Sequence, residues 1–285
     1  GEAWNVDYGW RWMFVSETLP ALLFFVFLLF VPESPRWLIK NKRAGEALAT
    51  LARVNGAARA EAEADEIAET IAQEDTSVLQ LFQPGLRVAL LVGVALAILQ
   101  QVTGINVVLY YAPEIFKSVG RAADTAIYQT VIVGVVNVTF TLVAIWVVDR
   151  VGRKPLLLAA SAGMGLSLGA LGMAFRFQRF EGPLVLFLVL AYVASFAVAM
   201  GPVVWVVLSE IFPTRVRGTA MSIATVCLWI SCYAVSQTFP WLLETFSGNS
   251  FFLYAAMCVI CFFFVWRFVP RTEGKTLEEI ERQWL

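Results

Sequence analysis

Three amide side chains occur within seven consecutive positions of one apolar run, and their type suits them to bind a polar ligand. Gln100, Gln101 and Asn106 lie inside the run from Val88 to Tyr111. An amide placed in hydrocarbon without a partner costs about 2–7 kcal/mol, whereas a hydrogen bond between two membrane helices contributes only about 0.6 kcal/mol. The cluster therefore predicts a polar cavity, with hydrogen bonding between helices as the alternative.

A single cavity shared by these amides requires an irregular helix. An ideal helix separates Gln101 from Asn106 by roughly 140° around its axis, so the two side chains would face different directions. Thr103-Gly104 lies between them and is the position where we expect a break.

One further amide and two tryptophans could complete the lining. Asn137 stands in the middle of the run from Ala126 to Val148, where it either lines a cavity or bonds a neighbouring helix. Trp205 follows Gly201-Pro202, a pair that interrupts its run and frees backbone carbonyls. Trp205 and Trp229 each present a flat apolar face with one N–H donor, which suits stacking on a sugar ring. Packing against lipid or within the core is the alternative.

Two tyrosines end the run that carries the amides. Tyr110 and Tyr111 come just before Pro113. Paired aromatic side chains at such a position predict either a gate over the cavity or an aromatic belt at the membrane surface, and both interpretations stay open.

Charged residues of both signs meet at two predicted helix ends. Asp149 and Arg153 lie about one helical turn apart, and Glu210 and Arg217 flank a second short loop. An exposed ion pair contributes only about 0–1 kcal/mol, but pairs that form in one conformation and break in another can bias a two-state equilibrium. These residues predict a conformational latch. Charges that only set the membrane topology are the alternative.

The composition excludes several kinds of chemistry. The chain contains no histidine, which excludes imidazole-based nucleophilic catalysis and most zinc sites. Its four cysteines stand inside apolar runs, and Cys258-x-x-Cys261 lacks the second ligand pair of a metal site. A formal net charge of -1 offers nucleic acid no overall attraction. We expect no catalytic residue, no metal site, no cofactor and no nucleic-acid partner.

Membrane helices must position the candidate residues. The 285 residues are 59% hydrophobic and 15% charged, with a mean hydropathy of +0.71, which is outside the range of soluble domains. Runs of about twenty apolar residues match the ~30 Å of hydrocarbon that a helix must cross. There are seven such runs: Trp12 to Val31, Val88 to Tyr111, Ala126 to Val148, Leu156 to Phe175, Leu184 to Leu208, Met221 to Leu243 and Phe251 to Val269. The predicted fold is an all-α membrane protein with about seven transmembrane helices.

Basic residues between the runs predict the orientation. One set of connections, with the tail, holds Arg150, Arg153, Lys154, Arg215, Arg217, Arg271 and Lys275, and the opposite set holds Lys117, Arg121, Arg176 and Arg179. The richer side is expected to face the cytoplasm. This predicts a multi-pass protein of the cell (inner or plasma) membrane with a cytoplasmic C-terminus.

One long polar segment, Glu33 to Arg87, separates the first two runs. Its apolar residues recur at helical spacing: Leu48, Leu51 and Val54, then Ile67 and Ile71. Ser34-Pro35 is a typical helix start, and Asn55-Gly56 breaks the pattern. We expect two or three short amphipathic helices on the cytoplasmic face, with a solvated linker as the alternative because the apolar stripe is weak.

The first and seventh runs end alike, in Val31-Pro32 and Val269-Pro270, each followed by a charged segment. If both mark the end of a repeat, the repeat contains six helices and the first run closes an earlier one. The sequence, which begins at Gly1, is then expected to be a fragment. The predicted domains are 1–32, the last helix of an N-terminal half; 33–87, a helical linker; 88–270, a six-helix bundle; and 271–285, a tail.

Seven motifs, in order along the chain, resemble those of one transporter family. They are Pro32-Glu33-Ser34-Pro35-Arg36, Gln100-Gln101-x-x-Gly104-Ile105-Asn106, Tyr110-Tyr111-Ala112-Pro113, Asp149-Arg150-x-Gly152-Arg153-Lys154, Gly201-Pro202-x-x-Trp205, Ser209-Glu210-Ile211-Phe212-Pro213 and Gly274-Lys275-Thr276-Leu277-Glu278-Glu279. Together they are similar to the sugar-porter family of the major facilitator superfamily, and most similar to its bacterial xylose–proton symporters. The loop that begins at Asp149 is typical of the whole superfamily, whereas the paired glutamines with the Gly-Pro-x-x-Trp motif are specific to sugar porters.

The resemblance implies a fold and a function. Two halves of six helices would hold a monosaccharide or related polyol near the bilayer midplane and expose it to each side in turn. The implied partners are the sugar, a proton, the lipid bilayer and the missing N-terminal half of the same transporter.

The resemblance also implies roles for individual residues. Sugar hydroxyls would be bound by Gln100, Gln101, Asn106, Asn137 and Trp205, while Trp229 packs on the ring. Tyr110 and Tyr111 would close the outer side, and Glu17, inside the first run, falls where symporting members carry a carboxylate linked to proton coupling. The cytoplasmic latch would consist of Glu33, Arg36, Asp149, Arg153, Glu210 and Arg217.

Three residues depart from the family pattern. Leu228 stands where xylose symporters have glutamine and glucose facilitators have asparagine, and Cys232 replaces an asparagine one turn later. Each missing amide removes a hydrogen-bond partner from a sugar hydroxyl, which weakens sugar binding by about 1–3 kcal/mol. A smaller, less hydroxylated or differently oriented polyol would therefore fit better than xylose or glucose. Arg271 replaces a glutamate, which predicts a weaker latch.

Other functions stay open from the sequence. Facilitated diffusion is one, because the family's coupling aspartate and arginine lie in the missing half. A non-transporting sugar sensor or half-transporter is another, and a drug or organic-acid transporter of the same superfamily is a third, although the paired glutamines argue against it. A membrane-embedded enzyme would need a metal cluster or a nucleophile–base pair, which the sequence lacks.

Overall fold

The computed structural model describes residues 8–72, 81–83, 85–119, 123–178, 183–213 and 216–271, and nearly all of them are helical. The chain divides into two compact units, Gly1–Glu74 and Asp75–Leu285. The prediction of an all-α protein is confirmed over the described residues. The predicted tail motif from Gly274 and the loop residue Arg215 lie outside them.

Over residues 8–72, the first unit contains one apolar helix and three short polar ones. They are α1 (Trp10–Leu28), α2 (Pro35–Lys40), α3 (Ala44–Asn55) and α4 (Ala57–Ala72). Every α1 side chain that the structure describes is exposed, as expected of a helix whose apolar surface meets lipid or other helices.

Local sequence explains where the polar helices begin and end. The Ser34 hydroxyl accepts a hydrogen bond from the Trp37 N–H at 3.2 Å, and Pro35 occupies the first turn of α2. Gly56 ends α3 with a φ of 85°, a value that glycine adopts most easily. Leu38, Leu51 and Ala60 are buried. The described part of this polar segment therefore forms three short helices, and its role as a cytoplasmic linker stays a prediction. The apolar stripe is narrower than predicted, since Val54 is 74% exposed.

The second unit contains the helices that carry the candidate site. They are α5 (Leu86–Val102), α6 (Ile105–Ser118), α7 (Ala123–Val151), α8 (Arg153–Arg176), α9 (Leu184–Ser195), a π-helical turn (Phe196–Met200), α10 (Gly201–Ile211), α11 (Arg217–Phe246), a 3-10 turn (Ser247–Asn249) and α12 (Ser250–Phe268). The helix α8 packs against α9 and α12, and α5 packs against α11.

The helices account for the seven predicted spans. Among the residues that the structure describes, five segments are long and apolar enough to cross a membrane: Leu86–Ser118, Thr125–Val151, Arg153–Arg176, Leu184–Ile211 and Arg217–Phe268. The last has 52 residues and comprises two helices, α11 and α12. The shorter apolar helix Phe14–Leu28 adds the first of the seven.

Two of these spans are interrupted in the middle. The span of α5 and α6 breaks at Thr103-Gly104, where Gly104 is left-handed with a φ of 93°. The span of α9 and α10 contains the π-helical turn that ends at Met200, immediately before Gly201-Pro202. Both interruptions lie where the sequence predicts them, and residues next to or within each of them line the pocket described next.

Candidate functional site

One pocket of the second unit collects six of the seven residues predicted to bind substrate. It has a volume of about 250 Å³ and is lined by Gln100, Gln101, Ile105, Asn106, Leu109, Phe196, Gly201, Trp205, Leu228 and Trp229. We call it the amide pocket. Amides on one wall and aromatic faces on another suit a ligand that carries several hydroxyls on an apolar frame.

The break at Gly104 brings two of the amides into contact. The Asn106 Nδ2 donates a hydrogen bond to Gln101 Oε1 at 2.6 Å. The Gly104 N–H donates to the Gln101 carbonyl at 2.9 Å, which closes a tighter turn than an α-helix would. The left-handed backbone of Gly104 then restarts the helix in a new direction. This geometry removes the separation that an ideal helix would impose on Gln101 and Asn106.

The Gln100 side chain is bonded to the second interruption. Its Nε2 donates to the carbonyls of Met200 at 2.7 Å and Gly201 at 3.2 Å. Its Oε1 accepts a hydrogen bond from Gln101 Nε2 at 3.3 Å. With 2% of its surface exposed, Gln100 both satisfies backbone carbonyls of the interrupted helix and orients Gln101.

The opposite wall is apolar at its centre. Leu228 is 1% exposed and lines the pocket from α11. The Cys232 sulfur, one turn further along α11, lies 3.0 Å from Asn106 Nδ2. Because sulfur is a weak hydrogen-bond acceptor, this wall offers a polar ligand weaker hydrogen bonding than an amide at the same position would.

The two tryptophans keep accessible surface at the pocket. Trp205 is 37% exposed and Trp229 is 57% exposed. Both line the amide pocket, so their indole rings are available for stacking.

An ion-pair cluster joins three helices away from the pocket amides. Arg153, at the start of α8, lies 3.0 Å from Glu210 on α10 and 3.3 Å from Asp149 on α7. The Arg153 and Glu210 side chains are 17% and 22% exposed, so solvent screens this pair less than a surface pair, whereas Asp149 is 75% exposed. Nearby, the Arg217 Nε donates to the Phe212 carbonyl at 3.2 Å.

A match with a known family decides the identity of the fold. Residues 2–284 match the family described as Sugar (and other) transporter. The chain belongs to the sugar transporter family.

Two sugar transporters align with nearly the whole of this chain. The arabinose-proton symporter of Bacillus subtilis is 42% identical over 284 residues, which cover 99% of this chain and 61% of that protein. The D-xylose-proton symporter of Escherichia coli is 46% identical over 287 residues, covering 98% of this chain and 58% of that protein. The chain thus spans about three-fifths of the length of these relatives.

A solved structure matches the helical arrangement. The proton:xylose symporter of the major facilitator superfamily, bound to 6-bromo-6-deoxy-D-glucose, is 44% identical with a TM-score of 0.81, over 99% of this chain and 60% of that chain. The predicted helical bundle of the major facilitator superfamily is confirmed by this match. The apolar helices of this sugar transporter chain make it a multi-pass membrane protein.

Three residues predicted to bind or enclose the sugar lie outside the lining of the amide pocket. Asn137 is half-buried near the middle of α7. Tyr110 is 58% exposed in α6. The Tyr111 hydroxyl donates to the Ser236 carbonyl at 3.1 Å, which ties α6 to α11. Their roles as ligand and gate stay predictions.

Three other predicted residues belong to the first unit. Glu17 and Glu33 are exposed and Arg36 is half-buried. Their roles in proton coupling and in the latch also stay predictions.

Sequence reasoning missed several residues around the pocket. Phe196 lines it from the π-helical turn, and the Tyr192 hydroxyl donates to the Thr103 carbonyl at 2.9 Å. The sequence could have pointed to Tyr192, because it places a lone hydroxyl inside an apolar run, and such a group needs a hydrogen-bond partner in the membrane.

The structure also describes a larger groove and the cysteines. A groove of about 430 Å³ between α8 and α12 is lined by apolar groups except for Ser161, so it lacks the hydrogen-bonding groups of a sugar site.

The four cysteines are free. Within the described ranges, no group of three or more acidic, cysteine or histidine side chains is placed to hold a metal ion.

Leu228→Gln is expected to tighten pentose binding about five- to tenfold. The glutamine would add a hydrogen-bonding group at the apolar centre of the pocket wall, worth about 1 kcal/mol or slightly more. Isothermal titration calorimetry with D-xylose on the purified gene product measures the change. Leu228→Met, which is similar in size and adds no amide, is the control, and equal affinities for the two variants would contradict the prediction.

Proposed function

We propose that this chain carries the sugar-binding half of a proton-coupled monosaccharide transporter that works by alternating access. The observation that carries the proposal is the amide pocket, which is lined by the bonded pair Gln101 and Asn106 together with the exposed Trp229. The relatives named as arabinose-proton and D-xylose-proton symporters support a pentose or a related polyol as substrate.

The pocket residues divide the work of binding the sugar. Gln101 and Asn106 bind sugar hydroxyls, with Gln100 holding Gln101 in place and adding a ligand atom. Trp205 contributes its N–H, and Trp229 packs on the ring face. Asn137 joins from α7, and Tyr110 and Tyr111 close the outer entrance when the protein moves.

The proposal assigns the rest of the transporter to residues beyond this bundle. Only 11% of an 18-residue apolar stretch of α7 is buried, which leaves a long apolar face that a second half could cover. Residues 1–32 then form the last helix of that N-terminal half, 33–87 a cytoplasmic linker, 88–270 the C-terminal bundle and 271–285 a cytoplasmic tail of an inner-membrane protein.

A charge latch and a coupling carboxylate complete the proposed cycle. Arg153 with Asp149 and Glu210, together with Arg217, Glu33 and Arg36, would hold the cytoplasmic side closed and separate when it opens. Glu17 would link proton movement to the sugar step.

Uptake of labelled sugar tests the proposal. The intact gene product is produced in a bacterial strain that lacks pentose and hexose uptake, and entry of L-arabinose, D-xylose and D-glucose is measured with and without a protonophore. We expect saturable pentose uptake that the protonophore abolishes. Uptake that persists at an equal rate without a proton gradient would indicate facilitated diffusion and contradict symport. Sugar binding without uptake would indicate a sensor. Absence of both sugar binding and uptake would reject the proposal.

A further inference from the structure

Two helix interruptions lie side by side at the amide pocket, and each is bonded to a side chain of the other helix. The first interruption is Thr103-Gly104, between α5 and α6. The second is the π-helical turn Phe196–Met200, between α9 and α10.

The first of the two bonds comes from Tyr192. Its hydroxyl, in the last turn of α9, donates to the Thr103 carbonyl at 2.9 Å. Tyr192 is 1% exposed and Thr103 is 0% exposed, so water cannot replace either partner.

The second bond runs in the opposite direction. The Gln100 Nε2, in the last turn of α5, donates to the carbonyls of Met200 and Gly201 at 2.7 and 3.2 Å. Each interrupted helix therefore supplies the donor for carbonyls at the interruption of the other.

Such bonds are costly to lose in a membrane. The break at Gly104 interrupts the regular intrahelical hydrogen bonds, and an unsatisfied carbonyl in apolar surroundings is strongly unfavourable. Met200 and Gly201 stand at the start of α10, where Gln100 gives their carbonyls an additional donor. Because the donor at each break is held by the helix that contains the other break, a change of angle at one break disturbs the bond at both.

We propose that Tyr192 and Gln100 form a reciprocal clamp that joins the two interruptions into one mechanical unit, and that Tyr192 is thereby a positioning residue for sugar binding. This inference rests on the proposed function. Tyr192 holds the turn at Thr103 that brings Asn106 to within 2.6 Å of Gln101, and the bond from Gln101 to Gln100 at 3.3 Å connects the clamp to the pocket.

A second buried tyrosine provides a matched control. Tyr254 is 4% exposed, and a β-carbon at Gly104 would lie 2.8 Å from its ring, so it packs against the same break. Within the described part of the chain, its hydroxyl has no hydrogen-bond partner. Removing that hydroxyl tests packing and polarity without touching the clamp.

Tyr192→Phe and Tyr254→Phe are compared in the intact gene product, reconstituted in lipid nanodiscs. Hydrogen–deuterium exchange is followed in peptides that cover residues 99–108 and 196–203. This measurement is made without sugar. We expect Tyr192→Phe to speed exchange in both segments, and Tyr254→Phe to leave both unchanged. Gln100→Leu, read by exchange alone, should also affect both segments. Faster exchange confined to the segment next to each substitution would overturn the clamp.

Sugar affinity and thermal midpoint are then measured on the same samples. Loss of one hydrogen bond leaves a smaller fraction of molecules competent to bind, so Tyr192→Phe should weaken D-xylose or L-arabinose binding about three- to tenfold while the midpoint shifts by only a few degrees. A lower midpoint with unchanged affinity would show a purely structural role and overturn the positioning role. Absence of sugar binding by the unsubstituted protein would reject the proposed function, and the exchange data would still decide whether the clamp exists.

Discussion

Leucine in place of Gln101 is expected to weaken sugar binding roughly 30- to 150-fold, which corresponds to about 2–3 kcal/mol. Gln101 is 7% exposed and bonds both Asn106 and Gln100. Its loss removes a ligand for the sugar and also leaves the Asn106 amide without its partner at 2.6 Å. Isothermal titration calorimetry with L-arabinose and D-xylose measures the effect.

Gln129→Leu is the matched control for this change. Gln129 lies on α7, and its side-chain oxygen is buried without a hydrogen-bond partner among the described residues. The same replacement at this position removes an amide from a membrane helix without touching the amide pocket. Affinity should stay within twofold of the parent, and an equal loss in both variants would mean that Gln101 acts through general stability.

Gly104→Ala is expected to reduce stability by about 2–5 kcal/mol. The left-handed φ of 93° costs an alanine about 1–2 kcal/mol. The new β-carbon would also lie 2.8 Å and 3.0 Å from two ring carbons of Tyr254, and overpacking of this kind typically costs about 1–3 kcal/mol. Thermal unfolding in detergent should show a midpoint lower by roughly 4–20 °C, at about 2–4 °C per kcal/mol.

Gly134→Ala separates this effect from that of glycine replacement in general. Gly134 lies within α7, and a β-carbon there would meet nothing within 4 Å. Alanine should raise stability at that position by about 0.5–1 kcal/mol, because it restricts the unfolded chain more than glycine does. Equal midpoints for the two variants would contradict the assigned role of Gly104.

Local features of the pocket could be predicted from the sequence because their causes are local. Two amides that an ideal helix would point apart, with a glycine between them, required a break, and the break occurs at Gly104. Gly201-Pro202 marked the second interruption in the same way, since proline removes a backbone donor. The capping serine of α2 and the glycine after α3 also follow from residue chemistry alone.

The contacts that complete the site depend on distant parts of the chain. The partner of Tyr192 lies 89 residues away, and that of Gln100 lies 100 residues away, so spacing could not reveal either. The contact of Cys232 with Asn106 crosses 126 residues. Helical periodicity also failed for Val54, which is exposed, whereas Leu51 in the same helix is buried.

Location of a bound sugar tests the central claim most directly. The intact gene product is crystallised with 6-bromo-6-deoxy-D-glucose, and the bromine is located by its anomalous scattering. The account predicts a single bromine site within the amide pocket, next to Gln101, Asn106 and Trp229, that disappears in Gln101→Leu crystals. A bromine site only in the apolar groove between α8 and α12, or one in the amide pocket that persists in Gln101→Leu crystals, would contradict it.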